Sequence, residues 1–321
     1  MSGKYITQTM RFGVFAAAVL LNWAPASAAD QKAAGSCDRA CLQKSLDGFL
    51  AAVFKHDPSA VPLSADYFAT ENTAPVAKGE GAWTSVAGYG DLQRRYFDPV
   101  NQTAAFFGIL KKDGHDQITS VRIRVANGAI SEAEWIFGTQ GPGGRGEANP
   151  AGLRKYPPPP PARLPAAERS SRFQMITLPN DYFQAVVEHD GSWVPNSADC
   201  IRIENGGGTT ANSQSAAVKA ADQKPADASG MPVPQRGGCL DHFERFKGLT
   251  KDLALRRFPV VDEEAGVVLG SAIYVRNPGN PAQDNLVHEY FFIRNGKISG
   301  LWTSMYFLPK GSPVTSGWEN R

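Results

Sequence analysis

His56-Asp57-Pro58-Ser59-Ala60-Val61-Pro62-Leu63-Ser64-Ala65-Asp66-Tyr67-Phe68-Ala69-Thr70-Glu71-Asn72 returns without a gap as His189-Asp190-Gly191-Ser192-Trp193-Val194-Pro195-Asn196-Ser197-Ala198-Asp199-Cys200-Ile201-Arg202-Ile203-Glu204-Asn205. His-Asp, Ser, Val-Pro, Ser-Ala-Asp and Glu-Asn keep their spacing in both copies. A helical stretch precedes each copy: Leu42, Leu46, Phe49, Leu50 and Val53 stand three and four residues apart, as do Phe183, Val186 and Val187. Pro58 disfavours helical geometry in the residue before it, so the first helix should end at His56-Asp57.

Beyond each copy the chain changes period. Residues 104–110, 118–125 and 130–137 are β-rich runs, and Asn127-Gly128 between the last two is a strong hairpin signal because both positions accept positive φ. Arg294-Asn295-Gly296-Lys297 repeats that hairpin, Arg256-Arg257-Phe258 answers Arg94-Arg95-Tyr96, and Gly270 answers Gly108. The repeat is therefore the size of a domain. These observations predict an α+β chain of two tandem units, over residues 37–140 and 170–310. Between them, 141–165 is a Gly-rich then Pro-rich linker, with Pro157 to Pro161 as an extended surface strap. The stretch 206–238 reads as a mobile insert of small and polar residues in the second unit.

The composition, 42% hydrophobic and 20% charged, is that of a globular protein, and the formal charge of +2 creates no basic field of the kind that attracts nucleic acid. Lys4 and Arg11 precede an apolar run from Phe12 to Leu21, and Ala26-Ser27-Ala28 supplies a cleavage site, so 1–28 reads as a secretory signal peptide. Cleavage would leave an exported, periplasmic or secreted chain without a membrane anchor; a retained signal anchor is the alternative. Export makes the cysteines disulfide candidates: Cys37 with Cys41, one helical turn apart, and Cys200 with Cys239. Zinc is disfavoured, because neither pair has CxxC spacing or a nearby histidine.

Helix, His-Asp turn, short strand ending in Glu-Asn, and a meander closed by an Asn-Gly hairpin resemble the SnoaL-like branch of the nuclear-transport-factor-2-like superfamily, over both units. The resemblance implies cone-shaped units, each a curved antiparallel sheet wrapped on N-terminal helices around an apolar pocket, and pairing of the two through their sheets as an internal pseudo-dimer. It also implies a small organic molecule as partner. Members range from cofactor-independent isomerases, lyases and hydrolases to non-catalytic binding or assembly modules, so the fold leaves the chemistry open.

Several residues qualify for that chemistry. His189 with Asp190, and His56 with Asp57, offer an imidazole beside a carboxylate, or simply a helix end and a turn cap. Glu204-Asn205 and Glu71-Asn72 end a strand, where an inward glutamate would be an acid or base and an outward one a turn residue. Arg256-Arg257 and Arg94-Arg95 suit an organic anion or a structural ion pair. Aromatics such as Tyr274 and Trp302 would line a cavity or fill a core. His288-Glu289 has no counterpart in the first unit, and strand alternation admits only one of the two to the interior. Because the copies share the His-Asp to Glu-Asn stretch, it marks the common fold, and a reaction should be sought where the copies differ. No Gly-rich nucleotide loop, nucleophile elbow or metal-spaced histidine set occurs, so no cofactor is expected.

Overall fold

The computed structural model describes residue 1 and residues 36–139, 148–208, 239–240 and 243–319. The signal-peptide reading and residues 209–238 of the predicted insert lie outside these.

Helix α1 (Arg39–Phe54) starts at Asp38, whose carboxylate accepts the Cys41 amide at 3.0 Å, and buries the predicted stripe of Leu42, Leu46, Phe49, Leu50 and Val53. Strands β1 (Leu63–Glu71), β2 (Ala74–Val76), β3 (Val86–Asp98), β4 (Thr103–Lys112), β5 (His115–Ala126) and β6 (Ala129–Phe137) follow, with a one-turn helix α2 (Ala82–Ser85) before β3. They form one sheet in the order β2-β1-β6-β5-β4-β3. Residues 91–97 lie within β3. Strand β1 lies parallel to β6, which extends the expected antiparallel meander.

The second unit builds the same order. Helix α4 (Arg172–Glu188), closed by a Ser171–Gln174 capping box, precedes β7 (Asn196–Glu204), β8 (Gly207–Gly208), β9 (Thr250–Asp262), β10 (Val267–Arg276), β11 (Asn285–Arg294) and β12 (Lys297–Phe307). These pair as β8-β7-β12-β11-β10-β9. Both Asn-Gly hairpins form with positive φ at each position, 51° and 78° at Asn127-Gly128 and 51° and 69° at Asn295-Gly296.

Strand pairing corrects two of the sequence equivalences. Asp98 pairs with Thr103 at one turn and Asp262 with Val267 at the other, so counting from these turns Gly270 takes the place of Phe106 and not of Gly108. The arginine doublets also slip, because bulges interrupt β3 and β9 at different points. Arg95 and Arg256 turn toward the helices, to Asp47 at 2.6 Å and Gln184 at 3.1 Å; Arg94 and Arg257 face the other way.

The linker contains more structure than a strap. Helix α3 (Pro150–Lys155) buries Leu153, Arg154 pairs with Asp91 at 2.7 Å, and Arg94 donates to the Pro158 carbonyl at 2.9 Å.

Alternation sorts the side chains of each sheet into two layers. Ala104, Phe106 and Leu110 of β4 pack on α1, whereas Ala105, Phe107 and Ile109 join Tyr290, Phe292, Val260 and Leu269 in a cluster drawn from both units. The units also exchange equivalent contacts. Asp98 accepts the Val261 amide and Asp262 the Phe97 amide, each at 2.9 Å; Arg172 of α4 pairs with Asp98 and Arg39 of α1 with Asp262, each at 2.7 Å.

Cys37–Cys41 and Cys200–Cys239 are both disulfides, with Cα atoms 5.2 and 5.0 Å apart, which points to an oxidising compartment. No helix among the described residues is long and apolar enough to cross a membrane.

Candidate functional site

The repeated motif works locally except at Asn205, whose Nδ2 also donates to the Thr139 carbonyl of the first unit at 3.0 Å. His56 and His189 end their helices in left-handed geometry, at φ 56° and 62°, and donate Nδ1–H to the carbonyls of Trp83 at 2.6 Å and Val186 at 2.9 Å. Hydroxyl and then amide hydrogen bonds from Ser59 and Ser192 hold the carboxyls of Asp57 and Asp190 below their ordinary value. Asn72 and Asn205, both at positive φ, accept the Phe137 and Met305 amides and tie strand ends together.

His288 and Glu289 divide as alternation requires. His288 turns to the face shared by the units, where Nδ1 lies 2.8 Å from Ser120 Oγ and Nε2 3.4 Å from Glu134. Trp302 is there too, donating to the Tyr156 carbonyl at 2.9 Å, and so does not line the helix-covered interior. Glu134 is fully buried between Arg122 and Arg257, at 2.7 and 2.6 Å. Burial alone would raise its carboxyl, but Arg257, Arg122 and His288 outweigh that and hold it well below the usual range. Burial pushes the His288 imidazole down. Every formal charge here faces an opposite one, as a buried structural network requires.

Glu289 points the other way, into the interior under α4, and is fully buried. The Tyr274 and Thr303 hydroxyls each donate to its Oε1 at 3.4 Å, and its Oε2 has no hydrogen-bond partner among the described residues. Burial, then the nearby charge of Glu204, push its carboxyl up to about 8, with Arg202 opposing. It therefore carries a proton at neutral pH and is a donor. Arg202, also fully buried, lies 3.4 Å from Glu204 and donates to the Tyr182 hydroxyl at 3.4 Å and the Cys239 carbonyl at 3.2 Å. Its guanidinium sits 5.5 and 5.7 Å from the rings of Phe243 and Phe246. The Cys200–Cys239 disulfide, one end on β7, thus fixes the segment that covers Arg202. Burial raises the phenols of Tyr182 and Tyr274, keeping both protonated.

Carrying the register across both sheets shows what the first unit has instead. Glu71-Trp135-Val121-Phe106 run side by side in one sheet, and Glu204-Thr303-Glu289-Gly270 in the other. Ala69 occupies the place of Arg202, Leu110 that of Tyr274, and Phe49 that of Tyr182. All five first-unit counterparts of the polar group, Phe49, Ala69, Leu110, Val121 and Trp135, belong to its apolar core. Only the Glu71 and Glu204 position is acidic in both, and burial raises the Glu71 carboxyl as well.

Glu289, Tyr274 and Glu204 were singled out in the sequence; Arg202 and Tyr182 were not. A signal for Arg202 existed, since it is the one basic residue that the second copy of the repeated stretch adds, at Ala69. Glu134 and Ser120 carried none, because Arg257, His288 and Tyr290, which they meet, come from the other unit; Arg122 pairs with Glu134 and Glu132 on the neighbouring strand of its own unit.

Residues 168–304 match a family model described as a domain of unknown function, DUF8021, a span that holds all six polar residues of this interior. No curated protein matches the chain.

Proposed function

We propose that the protein is an exported tandem SnoaL-like protein whose second unit encloses a small-molecule chamber, with the first unit as its structural mate. The reading rests on one observation: five interior positions that are apolar in the first unit are Tyr182, Arg202, Tyr274, Glu289 and Thr303 in the second. A fold that can be completed with Phe, Ala, Leu, Val and Trp does not need them. Burying such groups costs stability, and clusters of them mark functional sites.

The chemistry is acid/base without a cofactor. Protonated Glu289 donates a hydrogen bond to a ligand carbonyl or similar acceptor, and can pass that proton and take it back; Tyr274 and Thr303 orient it. Arg202 balances Glu204 and offsets negative charge that develops on the ligand. Isomerisation, elimination or hydration next to a carbonyl fits this set. The reciprocal Asp98–Arg172 and Asp262–Arg39 contacts support the internal pseudo-dimer, since an isologous interface repeats each contact in both directions. They also support a second reading, in which the whole protein is a non-catalytic exported ligand-binding or assembly module.

Binding of a panel of apolar ketones, enones and organic acids, followed calorimetrically from pH 6 to 10, tests the proposal. At least one ligand should bind with affinity that falls about tenfold per pH unit above the Glu289 midpoint, and Glu289→Gln, which keeps a donor but cannot ionise, should remove that dependence. Binding that ignores both pH and Glu289→Gln for every ligand contradicts it.

A further inference from the structure

A groove lies on the face of the first sheet turned away from α1. The turn at residues 100–103, the outer faces of β5 and β6, residues 257–259 of β9 and Trp318 enclose a groove of ≈ 550 Å³, a volume within the range of small-molecule sites. Arg122, Arg124 and Arg257 line it, against the single carboxylate of Glu132. Glu134 beneath neutralises one guanidinium and Glu132 another, which leaves a surplus positive charge at the mouth.

These guanidiniums are held ready. Arg122 lies 4.2 Å from the Trp318 ring centre, with Nε on Glu134 at 2.7 Å. Arg257 is braced by Glu134 and by the Ser271 hydroxyl at 3.1 Å, while its buried Nε has no hydrogen-bond partner among the described residues. Arg124, half exposed, has a 3.2 Å contact with Glu132. Pre-oriented guanidiniums bind oxyanions at reduced entropic cost. Val100, Phe258 and Pro259 supply an apolar wall.

The matching corner of the second sheet shows that the fold does not require this charge. Arg122 pairs with Glu134 and Arg124 with Glu132 on β5 and β6; Tyr290 pairs with Trp302 and Phe292 with Gly300 on β11 and β12. There the corner is apolar and packed with Leu153 and Tyr156 of the linker. One corner is filled by the chain itself; its counterpart is open and cationic.

We propose that this groove binds a small organic anion, a carboxylate or phosphate attached to an apolar body, with Arg124 and Arg257 taking the oxyanion and Phe258 and Pro259 the body. The site is separate from the Glu289 interior and stands or falls independently.

Calorimetric titration of the protein at low ionic strength with benzoate, phenyl phosphate and inorganic phosphate tests it. Benzoate or phenyl phosphate should saturate one site, with inorganic phosphate weaker. Arg124→Gln, at an exposed position where folding is not at risk, should weaken binding by roughly tenfold; Arg257→Gln should weaken it at least as much, and Glu289→Gln should leave it unchanged. The preference between benzoate and phenyl phosphate identifies the oxyanion. No saturable binding of either organic probe, binding unaffected by Arg124→Gln, or inorganic phosphate binding as tightly as phenyl phosphate would each overturn the proposal.

Discussion

The two interiors have one strand order and opposite chemistry. Under α1, Phe49, Trp83, Phe106, Val121 and Trp135 close the space with rings and branched chains. Under α4, the equivalent layer holds a buried arginine, two tyrosines and a glutamate that keeps its proton. Identical topology with this contrast separates what the fold needs from what it carries. Helix, His-Asp turn, strand and Glu-Asn end are needed twice and appear twice; Arg202, Tyr274 and Glu289 appear once.

Substitutions can break or sharpen this contrast. The largest effect belongs to Arg202→Ala, which leaves Glu204 and the buried hydroxyls without their cation and should lower unfolding free energy by about 3–5 kcal/mol in denaturant melts. Ala69→Gly, at the same place in the first unit, should cost only about 1 kcal/mol. A loss on Arg202→Ala as small as that on Ala69→Gly would erase the distinction.

Asp98→Ala and Asp262→Ala come next. Each removes one carboxylate that accepts a backbone amide and pairs with an arginine of the other unit, so each should cost about 2–4 kcal/mol, and the two losses should agree within about 1 kcal/mol. A strongly unequal pair would show that the contacts are not equivalent.

Glu289→Gln has an effect whose sign depends on pH. The folded carboxyl is raised from an ordinary value of 4.5 to about 8. Between those values the folded chain holds a proton that the unfolded chain has lost, so wild-type stability falls as pH rises, by about 1.4 kcal/mol per pH unit at most. Below pH 4 both states are protonated and that loss is absent. Glutamine does not titrate, so the variant should show a flatter profile and exceed wild type in stability at pH 8. Parallel profiles for the two proteins would place Glu289 in an ordinary environment.

The smallest effects should follow His56→Ala and His189→Ala. Each loses one hydrogen bond at a half-exposed helix end, about 1 kcal/mol, and ligand binding in the second unit should be unaltered. A large loss of binding on His189→Ala alone would return the shared motif to the candidate site.

The repeat made much of the fold legible, because helix spacing, Asn-Gly turns and strand alternation are local signals. The parallel β1–β6 pairing was not, since nothing local specifies which strand closes the sheet. The arginine doublets misled by one step: bulges in β3 and β9 change which face an arginine takes without changing the sequence pattern. For the site, alternation correctly separated His288 from Glu289 but could not say which turned inward; that depends on the register against β10 and β12. Helix α3 was hidden in a Gly- and Pro-rich stretch, where Asn149 and Pro150 start a short helix that only contacts with both units hold in place.

Fluorine NMR of the protein labelled with 3-fluorotyrosine tests the asymmetry most directly. Titration with the ligand panel should shift the Tyr182 and Tyr274 resonances, assigned by Tyr→Phe substitution, while Tyr67 and Tyr89 of the first unit stay unmoved, and the shifts should disappear or change their pH dependence in Glu289→Gln. Shifts of equal size in both units, or none in Tyr182 and Tyr274 with any ligand, would contradict a chamber confined to the second unit.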